Sequence, residues 1–145
     1  MATLNDIART LGIAKSTVSK ALNGAEDVSE ATRRLVLETA VEMGYTRRRS
    51  NQPKLAVFIT NMDYERPEDF GHDILIGFRK MAEPAGFQVD VIPLHDDMAR
   101  NTPYDEFMLR ENYRGGLFLG LSLVDPWLEE FKTCKTPTVL YDNHL

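Results

Sequence analysis

The sequence predicts two architectures in tandem: an all-helical head of three short helices, then an α/β body built on a parallel sheet. Three observations carry this. Up to residue 46 the apolar residues recur at helical spacing, in short runs closed by Gly12, Gly24 and Gly44. The stretch Arg47-Arg48-Arg49-Ser50-Asn51-Gln52-Pro53 then offers no apolar residue and reads as a linker. Beyond it, β-rich apolar runs alternate with helical ones, the spacing of a parallel sheet covered on both faces. The boundaries expected are 1–46 for the head, 47–54 for a basic linker and 55–145 for the body.

In the head, Thr3-Leu4-Asn5-Asp6 is a start signal: Thr3 caps a backbone N–H and Asp6 sits in the positive first turn. Leu4, Ile7, Ala8 and Leu11 form one stripe, and Gly12 supplies the left-handed stop. The second helix is expected over Lys15–Asn23. The third is expected from a Ser29 cap to Met43, with Thr32, Leu35, Val36, Thr39, Ala40 and Met43 as its stripe. Leu37 and Val41 fall on another face, either packed on a neighbour or exposed.

In the body, Leu55–Thr60, Gln88–Pro93, Gly116–Gly120 and Thr138–Tyr141 read as strands. A helix over Phe70–Ala85 runs until Pro84 ends it, Thr102-Pro103 reads as a cap with Pro in first position, and Asp125-Pro126 opens a short helix.

Charge separates the two parts. Up to Lys54 nine Lys/Arg face six acids, a net charge of +3; the remainder carries eight bases and sixteen acids, a net charge of −8. A basic head on an acidic body suits a polyanion-binding module on a soluble carrier. No apolar run reaches the roughly 18 residues of a membrane span, and no charged-apolar-small leader opens the chain. The single Cys134 excludes a disulfide framework or multi-Cys zinc site and fits a reducing compartment. A cytoplasmic protein with no membrane association is the expectation.

The most informative segment is helix one, the tight Gly12-Ile13-Ala14 turn and helix two, the spacing of a helix-turn-helix. At about 100° per residue, Ala14, Val18, Ala21 and Leu22 share one arc of helix two. Lys15, Ser16, Ser19, Lys20 and Asn23 share the opposite arc, with Thr17 at the border. The outward arc holds donors and small hydroxyls and no acid. Such a surface suits a helix laid in a major groove, Lys reaching guanine and Ser or Thr a base edge or phosphate.

Residues 3–45 resemble the DNA-binding headpiece of the LacI family of bacterial regulators. The matching residues are Thr3-Leu4-x-Asp6-Ile7-Ala8, Gly12-Ile13, Thr17-Val18-Ser19-Lys20-x-Leu22-Asn23, Val28-Ser29-x-x-Thr32-Arg33 and Met43-Gly44-Tyr45. The resemblance implies that Lys15, Ser16 and Lys20 read bases and that Thr17, Ser19 and Asn23 mainly hold the DNA backbone. It also places Thr3 and Leu4 near phosphate and packs Tyr45 on the third helix. Two departures stand out. Ala14 occupies a position where the family usually has a capping Ser, which costs about 1 kcal/mol. The family's hinge helix, with its minor-groove Leu, has no counterpart in residues 45–53. Arg47, Arg48 and Arg49 either follow a narrow minor groove or pair with phosphates, or form a solvated linker.

The body resembles the same family's periplasmic-binding-protein-like regulatory domain. Gly77-Phe78-x-x-Met81-Ala82-Glu83-x-Ala85-Gly86-Phe87, Gly115-Gly116-Leu117-Phe118-Leu119 and Thr136-Pro137-Thr138-Val139-Leu140-Tyr141-Asp142 carry the likeness. In such sheets ligands bind beyond the carboxyl ends of the strands. The expected effector residues are therefore Tyr64, Phe70, Ser122 and Asp142. Asp142 either accepts sugar hydroxyls or braces its turn; Tyr64 and Phe70 either stack on a sugar ring or cover the crevice. The resemblance implies a second lobe beyond the fourth strand, so the body is expected to be an incomplete first lobe.

No nucleophile and base stand at a recognisable spacing, so no enzyme is expected. His72, His95 and His144 are too dispersed for a metal site, and His95-Asp96-Asp97 reads as a polar loop. Gly115, Gly116 and Gly120 make no phosphate loop, Cys134 reads as a bland thiol, and no cofactor is expected. The function expected is a sequence-specific regulator, a repressor controlled by a sugar-like effector and binding double-stranded operator DNA as a homodimer. The alternative is a sugar-binding receptor with a vestigial headpiece.

Overall fold

The computed structural model describes residues 1–47, 52–122 and 124–141, with only the backbone of Asp96. Three helices form the head: α1 (Leu4–Leu11), α2 (Lys15–Leu22) and α3 (Glu30–Glu42). The α1 start is a full capping box. Thr3 Oγ1 accepts the Asp6 N–H at 3.3 Å, and the Asp6 carboxylate takes the Thr3 N–H at 2.9 Å. The Thr3 hydroxyl also donates to Asp6, the largest of the effects holding that carboxyl below its usual pKa. Gly12 ends α1 at φ 66°, a conformation that a side chain would oppose. Ser29 caps α3 by accepting the Thr32 N–H.

The head's core joins Ile7, Val18, Leu22, Val36 and Ala40, all buried, with Tyr45 packed at its edge. The buried face of α3 differs from the expected stripe. Leu37 is buried among these residues, whereas Leu35 is 49 % exposed. The α3 face that meets α1 and α2 runs through Val36, Leu37 and Ala40, which share one side of a helix at three- and four-residue spacing. Leu35, one step round, looks outward.

The body is a four-stranded parallel sheet of β1 (Lys54–Ile59), β2 (Gln88–Pro93), β3 (Tyr113–Leu119) and β4 (Thr138–Tyr141), in the order β2-β1-β3-β4. Alternate residues of the strands serve two cores. Val57, Ile59, Leu117 and Leu119 face α4 (Phe70–Ala82), which contributes Leu75 and Ala82. Ala56, Phe58 and Phe118 face α6 (Tyr104–Arg110) and Trp127. The second core is aromatic: Phe58 stacks on Phe118 at 4.5 Å, and Trp127 meets Phe58 edge-on at 5.5 Å. Trp127 is fully buried and donates Nε1–H to the Thr102 carbonyl at 2.8 Å.

Coverage of both faces, expected for the whole sheet, stops at the edge. Val139 and Tyr141 of β4 are exposed, because they lie beyond the width of α4. Other local expectations also shift. The helix α4 ends at Ala82, where Phe87 N–H closes back on the Ala82 carbonyl at 3.1 Å ahead of Gly86. Pro103 precedes α6 rather than opening it, and the Glu130 carboxylate accepts the Tyr104 N–H at 2.7 Å in place of a local cap. A short helix, α5 (Asp96–Asn101), occupies the span read as a polar loop. After Asp125-Pro126 there are turns and one 3-10 turn at Glu130–Lys132 instead of an α-helix, with Asp125 accepting the Ser122 N–H at 2.6 Å.

Candidate nucleic-acid interface

The helix α2 is held by the head's core through Val18, Ala21 and Leu22, which leaves the opposite arc to solvent. Lys15, Ser16, Lys20 and Asn23 are exposed there, and Thr17 and Ser19 are half-buried. Ala14 is the N-cap and makes no side-chain bond, so the helix begins uncapped. Thr3 is exposed and Leu4 half-buried at the start of α1. The face carries donors as expected, with one addition from outside the helix. Asp27, in the loop before α3, forms an ion pair with Lys20. The Lys20 hydrogen bond is the main cause of the lowered Asp27 pKa. An arc without acids on its own helix is thus not free of acid in space.

Asn23 donates from Nδ2 to Ser19 Oγ at 3.4 Å, and its Oδ1 accepts a hydrogen bond from Arg47. Arg47 therefore reaches back to the exposed end of α2; it also donates to the Arg110 carbonyl at 3.1 Å. Arg48 and Arg49 lie outside the described residues. A residue that pattern reading left without a role is Arg33. Its Nη2 donates to the Ala25 carbonyl at 2.8 Å and so ties the loop between α2 and α3 to α3. Its place in the Thr32-Arg33 pair was the available signal.

Residues 3–48 match the family model described as bacterial regulatory proteins, lacI family. This segment is a LacI-family helix-turn-helix domain. One relative, the HTH-type transcriptional regulator GalR of Streptococcus thermophilus, is matched over a stretch longer than this segment. It is 36 % identical over 104 residues, 66 % of this chain and 30 % of that regulator. The sucrose operon repressor of Vibrio alginolyticus is 47 % identical over 45 residues, 31 % of this chain and 48 % of the repressor. The matched regions thus span less than half of either relative. A LacI-family regulator structure from Silicibacter pomeroyi aligns with 97 % of this chain and 43 % of its own at 26 % identity and a TM-score of 0.41.

The second candidate region lies at the carboxyl ends of the strands. There Thr60 N–H bonds the Leu119 carbonyl at 3.0 Å, and Asn61, at φ 53°, donates to the Gly120 carbonyl at 3.4 Å. A Cβ on Gly120 would collide with the Thr60 carbonyl oxygen, and its φ of 75° is itself a glycine conformation. The β1 and β3 loops are thereby locked together, a role for Gly120 that its place in an apolar run did not disclose. Tyr64 packs against the α4-side core, and its carbonyl lies 3.2 Å from His72 Nδ1. Phe70 is 61 % exposed at the first turn of α4. Ser122 is half-buried, its N–H already bound by Asp125. Asp142 lies outside the described residues. Among the described residues no group of three His, Cys, Asp or Glu side chains is arranged for a metal, and no helix is long and apolar enough to cross a membrane.

Proposed function

We propose that this chain carries the operator-reading head and part of the effector lobe of a ligand-controlled transcriptional repressor. The observation that carries the reading is α2: its apolar arc is buried in the head, and its opposite arc presents Lys15, Ser16 and Lys20 within a segment matching the LacI family. Lys15, Ser16 and Lys20 read base edges; Thr3, Leu4, Thr17, Ser19, Asn23 and Arg47–Arg49 position the duplex backbone. The division of labour follows residues 1–46, 47–54 and 55–145. A homodimer places one α2 in each half-site of a pseudo-palindrome. The effector is a sugar or sugar derivative bound near Phe70, Tyr64, Ser122 and Asp142. It biases the spacing of the two heads by binding one arrangement better than the other. The protein is a cytoplasmic regulator, not an enzyme.

The test is enrichment of random duplex DNA on the purified chain at low salt, beside the Lys15→Ala/Lys20→Ala double variant. The expected result is a pseudo-palindrome that the double variant does not recover. Featureless enrichment, equal in both proteins, overturns base reading by α2.

A further inference from the structure

Head and body meet along α3 and α6. Leu109 of α6 packs against the head's core, and Lys135 Nζ donates to the Glu42 carbonyl at 3.1 Å. This contact borders a half-open cavity of about 140 Å³, walled by Val41 and Tyr45 from the head and by Met108, Leu109, Tyr113 and Pro137 from the body. Its size is close to the roughly 150 Å³ apolar cavity that takes up a benzene ring. It opens at the amino ends of the strands, away from the carboxyl-end crevice assigned to the effector.

Three cations line the cavity: Arg47, Arg114 and Lys135. Their hydrogen bonds go to neutral oxygens: Arg47 donates to the Arg110 carbonyl and the Asn23 side-chain amide, Arg114 to the Arg47 carbonyl at 3.1 Å, and Lys135 to the Glu42 carbonyl. A neutral carbonyl oxygen, of backbone or amide, satisfies a donor without neutralising its charge. None of the three pairs with a carboxylate among the described residues. The single acid in the lining, Asp105, is consumed locally: it accepts from the Lys135 and Thr136 N–H groups at 2.8 and 3.0 Å and from the Thr136 hydroxyl at 2.6 Å. The cavity therefore combines an apolar interior with a rim carrying a net charge of two positive units, the pattern of a site for a compact amphipathic anion.

We propose that this junction binds a small organic anion, an apolar or aromatic body bearing a phosphate or carboxylate. The apolar part fills the space between Tyr45 and Met108, and the anionic group meets Arg114, Lys135 and Arg47. Because the walls come from both parts of the chain, occupancy favours the arrangement in which the head rests on α6. The site is thus a second input to head position, separate from the sugar crevice.

The 145-residue protein, labelled with 15N, is titrated with phenyl phosphate, with phenol as the neutral control. Saturable shifts of the Thr46, Arg47, Arg114 and Thr136 amides are expected at or below about 1 mM phenyl phosphate. Arg114→Gln/Lys135→Gln should weaken binding about tenfold or more at an unchanged unfolding midpoint, since both side chains are exposed. No saturable shift, or an identical titration of the double variant, overturns the proposal. A parallel titration with a short DNA duplex separates the two sources of phosphate. If the duplex moves these signals and phenyl phosphate does not, the cations serve the DNA backbone and the small-anion site is overturned. The phenyl phosphate arm contains no DNA, so its outcome is independent of the repressor reading.

Discussion

The head and the body solve the same problem, burying apolar surface, with opposite materials. The head's buried residues are small aliphatics, Ile7, Val18, Val36 and Ala40, brought together by helices joined through short turns. One of the body's two cores is aromatic, Phe58, Tyr104, Phe118 and Trp127, assembled from segments as distant as Phe58 and Trp127. The functional surfaces differ in the same way. The face proposed to read DNA is one arc of one helix, whereas the proposed effector crevice is built from loops after separate strands. A module with local contacts keeps its working surface when its surroundings change; a crevice made of four loops depends on the whole sheet.

The largest expected effect tests that contrast. Trp127→Ala removes the centre of the aromatic core and the bond to Thr102, and should cost about 3–5 kcal/mol in urea unfolding. The helical signal of the head should persist beyond the transition of the body. A single shared transition would show that the α3–α6 contact joins them into one cooperative unit. Next come the reading residues: Lys15→Ala and Lys20→Ala should each cost about 1–3 kcal/mol in operator binding and relax preference at one base position. Lys20→Ala should show the smaller loss, because Asp27 already competes for that ammonium. Equal losses for every sequence would assign both lysines to phosphate instead.

A smaller effect sharpens the account of α2. Ala14→Ser supplies the missing cap at a residue with φ −68° and ψ 142°, already in cap geometry, and should stabilise the head by about 1 kcal/mol. Differential scanning calorimetry reads this directly, and an unchanged head transition would show that the helix start is held by other contacts.

The smallest effects are those of pH, and they have opposite signs in two places. At Asp90, burial works to raise the pKa, but hydrogen bonds from Gln88, Lys54 and Tyr113 outweigh it and hold the carboxyl below its ordinary 3.8. Its stabilisation is complete above that value and lost as pH falls through the lowered one, so Asp90→Asn should flatten the acid limb of the stability curve below about pH 4. At Glu106, burial and then the Glu38 charge raise the pKa. Ionisation there opposes folding, and the penalty appears as pH rises through the raised value. Glu106→Gln should therefore leave stability unchanged well below the ordinary 4.5 and raise it slightly at neutral pH, so that stability climbs more steeply between those limits; a flatter climb would contradict this sign.

Much of this was legible in the residues because it is local. Thr3 with Asp6, Gly12, Ser29 and the stripe Ile7-Ala8 specify helix ends and faces through bonds within four residues. The uncapped Ala14 was equally readable. The strands β2 and β4 fall at their expected bounds, since period and flanking turns are local signals as well. At three places where expectation and structure part, a partner outside the element is responsible. Glu130 caps α6 across the chain, α1 and α2 select Leu37 over Leu35, and Asp27 closes on Lys20.

The sequence by itself determined the two architectures, the three head helices, the four strands and the side chains of the α2 outer arc, because spacing, caps and composition act over a few residues. Only the tertiary structure decided that Gly120 locks two strand ends, that Val139 and Tyr141 of β4 stay uncovered, and that Arg47, Arg114 and Lys135 gather round one cavity. Those outcomes depend on which segments the chain brings side by side, and a steric or electrostatic contact between segments leaves no trace in either segment alone.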